Sequence, residues 1–340
     1  MNNEKASLVA PLKQEVALKQ GLALKVTSAR PASRRLRKTL RTGLLQAALV
    51  LVCAVMLYPI FSTLLLSVKG ADDVRRKPPV LLPCDTAGIG FSLSACRFSM
   101  EGYQRVFLPQ VKPATFLGFS VTGRIFTQYL PNTLLYATAS ALCTTLFSGM
   151  AAYVLSRYRF WGRQAFLVGI LALAGVPLLT MLLALYQMNI GLRRLFPGYD
   201  ERLFMIVAYV GFELPFAIWV VKGFFDTIPR ELEEAARIDG CTPFGALVRI
   251  VAPLAASGLA SIFLLAYVNV WNEFIANYLL MSQANLRGAM YGVYDYIAQS
   301  LSSYNALAAA CIVVILPVII VFLFTRNVFF RAMLDGALKG

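Results

Sequence analysis

Six apolar segments of bilayer-spanning length constrain this 340-residue chain more than any other feature. They fall near 43–68, 130–154, 165–188, 203–225, 254–281 and 306–328. Each approaches the ~20 apolar residues that cross a hydrocarbon core. No water is available there to satisfy a backbone N–H or C=O, so each segment must close its own hydrogen bonds as a helix. Composition agrees, since only 14% of the residues are charged, against about 25% in soluble domains. The expected fold is an all-α integral membrane protein, with six transmembrane helices in one domain at 43–340 and a basic arm at 1–42. Hydropathy excludes a soluble scaffold.

Charge sets the orientation. The arm carries Lys5, Lys13, Lys19, Lys25, Arg30, Arg34, Arg35, Arg37, Lys38 and Arg41 against Glu4 and Glu15, ten minus two, or +8. Basic residues recur after the second segment (Arg157, Arg159, Arg163) and from the end of the sixth onward (Arg326, Arg331, Lys339). Positively charged flanks stay in the cytoplasm, and an even span count places both termini there. Loop 69–129 then lies outside. Its Lys69, Arg75, Arg76 and Lys77 do not reverse the assignment, because long loops cross largely regardless of charge. The net +15 is therefore mostly topological. Nucleic acid is a poor partner for basic residues that flank spans, whereas the cluster at Arg34–Arg41 suits an anionic lipid surface. The arm is too long ahead of its apolar run for a cleavable signal peptide. Pro11, Gly21 and Pro31 favour a mostly disordered arm, with a short surface helix over Leu18–Lys25 as the alternative.

Segment 226–253 joins the fourth and fifth spans and faces the cytoplasm. Its punctuation is helix, turn, helix. Pro229 suits a first helical turn, and Glu231, Glu233 and Glu234 sit near the positive N-terminal end. Ala235 and Ala236 favour the helix, and Gly240 can adopt the left-handed conformation that ends it. Thr242 and Pro243 restart a helix, as N-cap and first residue, that runs to Pro253. Two short helices about a glycine elbow form a rigid knob suited to another protein's groove.

The same segment resembles the "EAA loop" of permease subunits in ATP-binding-cassette importers. The match is Glu234-Ala235-Ala236, three residues, Gly240, nine residues, Ile250, one residue, then the position before Pro253. That position is usually Leu in the family and is Ala252 here. Further segments are similar to carbohydrate-importer permeases: Phe224 to Leu232, Trp271-Asn272-Glu273-Phe274, Asn132-Thr133-Leu134-Leu135, Tyr153 to Tyr158, and the ending Asp335 to Gly340. Together they cover 43–68 and 130–340, and the smaller six-span membrane subunit of maltose-type importers is nearest in kind.

The resemblance implies a permease subunit forming the path for a sugar, with another solute (amino acid, peptide or glycerol phosphate) as the alternative. It implies as partners two copies of an ATPase subunit, a second and non-identical permease, and a soluble extracytoplasmic solute-binding protein, with this chain in the inner membrane. The chain contains no G-x-x-x-x-G-K-[ST] loop, so ATP and Mg would sit on the partner and this chain would hold no cofactor. With no His and no nucleophile–base constellation, an intramembrane enzyme is not expected and neither is a metal site. In the elbow, Gly240 makes the turn and Ala235 and Ala236 allow close approach. Glu234 and Asp239 anchor it by pairing with Arg230, Arg237 and Arg249 or with a partner's bases, unless they form only a solvated face.

Ionisable residues inside spans are costly and mark functional positions. Glu213 precedes Pro215 in the fourth span, and Asn269, Trp271, Asn272 and Glu273 cluster in the outer half of the fifth. Carboxylate, amide and aromatic groups are what a sugar binds, so these five are candidate path residues, with polar glue between helices as the competing role. Cys53, Cys143 and Cys311 lie within spans, and Cys241 follows the elbow glycine. Cys84 and Cys96 share the outside loop, where they form either a disulfide or two free thiols.

Overall fold

The computed structural model describes residues 32–75, 97–108, 125–196, 198–299 and 304–337. All regular structure among them is helical, with no strand. Cys84, Cys96 and residues 1–31 of the arm lie outside the described residues. The chain divides into two compact units, Met1–Ser62 and Thr63–Gly340.

The described part of the first unit belongs to α1 (Ala32–Ser67), which continues into the second. Its side chains are exposed at consecutive positions, including Leu49, Val50, Leu51 and Val52, and then Val55 to Tyr58. A helix that is apolar on every face suits lipid as solvent.

The second unit contains α2 (Ala71–Arg75), α3 (Glu101–Phe107), α4 (Leu130–Arg157), α5 (Arg163–Ala174), α6 (Leu178–Leu195) and α7 (Glu201–Asp226). The elbow follows as α8 (Glu231–Ile238) and α9 (Pro243–Leu254). Then come α10 (Ala256–Asn272), α11 (Ile275–Leu280), α12 (Ala289–Gln299) and α13 (Tyr304–Ala337). At the centre, α4 packs against both α7 and α10. Ala137, Ala141, Thr144, Ser148, Ala152 and Ser156 recur on one face of α4 and are all buried. Such small side chains let backbones approach closely where no hydrophobic force separates helix from lipid. Gly258 on α10 shows how close: a Cβ there would lie 2.4 Å from the ring of Phe224 on α7.

Among the described residues, four helices are long and apolar enough to cross a membrane: Leu40–Ser67, Thr127–Arg157, Glu201–Asp226 and Tyr304–Arg326. Two bent pairs raise the number to as many as six. The segment expected as one span near 165–188 is instead α5 and α6, which meet at 91°. Pro177 lies at that corner with extended ψ of 135°. It lacks an N–H and pushes the preceding residue out of the helical region. The span expected over 254–281 also ends early. α10 stops at Asn272, Glu273 takes an extended ψ of 127°, and the chain restarts as α11. At its N-terminal end α10 meets α9 at 80°.

Candidate functional site

The elbow forms largely as its local signals require. α8 begins after Arg230, so Pro229 stands just ahead of the helix and not in its first turn. Its end closes by two backbone bonds, Cys241 N to Ala236 O (2.9 Å) and Gly240 N to Arg237 O (3.0 Å). This is the double closure that a left-handed residue after a helix permits. Gly240 has φ +83°, and no atom lies within 4 Å of a Cβ built there. Backbone conformation, not crowding within the chain, selects glycine. Thr242 Oγ1 accepts from Gly245 N at 3.1 Å, and Pro243 is the first residue of α9. A widened π turn at Leu247–Val251 ends two residues before Pro253, which cannot donate to the turn beneath it.

The acid that anchors the elbow within this chain is Glu233, not Glu234 or Asp239. Glu233 is buried on α8, and its Oε1 meets Arg157 Nε at 2.5 Å. Tyr153 OH donates to Oε2 at 2.9 Å. Arg157 Nη2 also donates to Ile228 O (3.1 Å), and Arg230 Nη2 donates to Ser156 O (2.9 Å). Nearby, Ser156 Oγ donates to Asp226 Oδ1 (2.6 Å), and Lys222 pairs with the other oxygen (2.5 Å). These ties fix the elbow to the C-terminal end of α4. An apolar seat lies beside them, with Phe225, Ile228, Leu247, Val251 and Ala255 packed with Ala152 and Tyr153.

Glu234 and Asp239 are exposed, and among the described residues neither carboxylate makes an ion pair with Arg230, Arg237 or Arg249. Arg237 reaches Tyr158 OH at 3.4 Å. Ala235 is exposed and Ala236 half-buried. On the same knob Ile238 is 87% exposed and Phe244 66% exposed. A rigid surface with two outward apolar side chains among free carboxylates has the composition of a docking face.

The intramembrane candidates separate into distinct places. Asn269 Nδ2 donates to Glu213 Oε2 at 3.3 Å, joining α10 to α7. Asn272 is exposed and donates to Val268 O in its own helix. Trp271 is only 1% exposed and stacks on Tyr267, with ring centroids 5.5 Å apart, so it belongs to the core. Glu273 closes the break after α10: its carboxylate accepts from Ala276 N (2.7 Å), Asn277 N (3.1 Å) and Tyr209 OH (2.8 Å). It thereby caps the free N–H groups of α11 and ties them to α7.

Several polar residues had no assigned role from sequence. Asn132 Nδ2 donates to Asn285 O (2.7 Å) and Arg287 O (3.0 Å), and Thr133 Oγ1 accepts from Ala289 N (2.7 Å). The buried Glu201 accepts from Ser282 N at 3.0 Å and pairs with Arg193 at 3.1 Å. These bonds pin the segment after α11 to α4 and α7. No sequence period marks them, because a single polar side chain joins elements far apart in the chain.

Comparison with known proteins defines the class. The sequence pattern of the family described as "Binding-protein-dependent transport system inner membrane component" matches residues 144–335. The chain belongs to that family. It is 28% identical over 298 residues to the inner membrane ABC transporter permease protein YcjP of Escherichia coli, covering 86% of this chain and 94% of that protein. It is 29% identical to the arabinooligosaccharides transport system permease protein AraQ of Bacillus subtilis, covering 84% and 91%. With the maltose/maltodextrin transport system permease protein MalG of Vibrio vulnificus it shares 30% identity, covering 66% and 79%. The fold is similar to a chain of a bacterial ABC transporter involved in the import of the acidic polysaccharide alginate. That match has a TM-score of 0.65 at 21% identity and covers 88% of this chain and 98% of that one.

Proposed function

We propose that this chain is a six-span permease subunit of a sugar importer, lining half of the path and coupled to a partner ATPase through the elbow. The observation that carries the reading is the elbow itself: a knob stiffened by a glycine closure and a threonine cap, anchored from inside the protein, and presenting free Glu234 and Asp239 beside Ile238 and Phe244. Sugar as the solute is supported by relatives named for arabinooligosaccharide, maltodextrin and maltose transport. Each bent helix pair then counts as one span, both termini lie in the cytoplasm, and ATP and Mg are held by two ATPase copies. A second permease completes the path, and a solute-binding protein delivers from outside, a reading supported by the alginate transporter solved in complex with an alginate pentasaccharide-bound periplasmic protein. Closure of the ATPase pair moves the elbows and switches the spans between two arrangements. Glu213, Asn269 and Asn272 are the polar groups of this chain offered to solute, while Trp271 and Glu273 hold helices in place.

The test is affinity purification of the chain in mild detergent from its native cell. A co-purifying ATPase and second permease support the reading, and the ligand retained by the binding protein distinguishes a sugar from another solute. A lone, monodisperse chain after crosslinking at Cys241 overturns it.

A further inference from the structure

We infer that the buried Glu233–Arg157 pair is the strut that carries elbow movement into α4, which makes both of them positioning residues for transport. This rests on the coupling role proposed for the elbow. The elbow is covalently continuous with α7 at one end and α10 at the other. Among the described residues it touches α4, the central helix that packs on both, through side-chain contacts of two kinds. One route is the apolar seat around Phe225, Ile228 and Val251. Apolar contact is non-directional, so helices in such a seat can slide past one another. The other route is directional. The side chains of Arg157 and Glu233 are 7% and 6% exposed. Both carboxylate oxygens are used, one by Arg157 and one by Tyr153. Arg157 also holds Ile228 O, and Arg230 holds Ser156 O, so donors on each side reach acceptors on the other. A buried, fully bonded pair resists both separation and shear, whereas exposed pairs yield readily.

The geometry also separates two tasks within one helix. Glu234 and Asp239 point to solvent with no base among the described residues paired to them, which leaves them for a partner. Glu233, one residue from Glu234, faces inward and cannot touch a partner. α8 thus presents docking groups outside and a transmission group inside.

The test uses the complete importer reconstituted with its binding protein and sugar. Three readouts are taken: ATPase retained on purification, ATP hydrolysed, and sugar taken up per ATP. Glu233→Gln and Arg157→Gln are expected to keep the ATPase bound and hydrolysing while uptake per ATP falls roughly tenfold or more. The exchange Glu233→Arg with Arg157→Glu is expected to recover part of that loss. Tyr153→Phe, which removes one hydrogen bond and keeps the ring, is expected to give a smaller loss in the same direction, and it decides the matter if Glu233→Gln does not fold. Wild-type uptake per ATP in these variants overturns the strut. Loss of the ATPase from the variants alone also overturns it, because the pair would then only shape the docking face. Absence of the ATPase from the wild-type assembly is a separate failure, that of the coupling reading itself.

Discussion

Replacing Glu273 by Gln separates the two roles open to a carboxylate in a membrane permease, contact with solute and support of a broken helix. Its two oxygens accept three hydrogen bonds, from Ala276 N, Asn277 N and Tyr209 OH. Glutamine has one acceptor oxygen. In the place of Oε2 it keeps the bonds from Asn277 and Tyr209 without the charge, and its amide then faces Ala276 N–H, donor against donor. A hydrogen bond to a charged group contributes about 1.5–3 kcal/mol, and an unsatisfied buried donor costs about 1–3 kcal/mol. Glu273 is half-buried, so water relieves part of this and about 2–4 kcal/mol remains. Thermal denaturation of the purified assembly should show a clear drop, and uptake should fall in step with the amount of intact complex. Tyr209→Phe should lose about 1.5–3 kcal/mol through the same contact, the value of one hydrogen bond to a charged group. Unchanged stability and assembly in Glu273→Gln, with uptake abolished, would refute the capping role and return Glu273 to the path.

The elbow yields further predictions. A Cβ at Gly240 meets no atom within 4 Å among the described residues, but Gly240→Asp forces a side chain onto φ +83°, a strain of about 1–2 kcal/mol; membrane insertion should be normal and uptake lost, and wild-type uptake would rule out the coupling role. Thr242→Ala removes the cap on Gly245 N and should destabilise α9 by about 1 kcal/mol, read as faster proteolysis at the elbow with the spans intact. Ile238→Asp or Phe244→Asp should abolish ATPase co-purification without changing thermal stability, because both side chains are largely exposed in this chain; full retention of the ATPase would move the docking face elsewhere.

The sequence by itself determined whatever depends on near neighbours. Hydropathy summed along a helix located the four continuous apolar helices, because lipid demands that each segment satisfy its own backbone. Gly240, Thr242 and Pro243 set the elbow through bonds that close within five residues. The corner at Gly175-Val176-Pro177 was also present in the sequence, yet an unbroken apolar run masked it. Tertiary structure alone decided which acids matter. Glu231, Glu233, Glu234 and Asp239 carry the same charge on one short segment. Only packing against Arg157, 76 residues earlier, turns Glu233 inward and leaves Glu234 and Asp239 free. The same holds for Trp271, which has the chemistry to stack on a sugar but is stacked on Tyr267 instead. Glu273 likewise finds Tyr209, 64 residues away, once α7 and α10 lie side by side. Local hydrogen bonding and hydropathy are legible along a chain, whereas the burial of a given polar group depends on distant residues that only folding brings beside it.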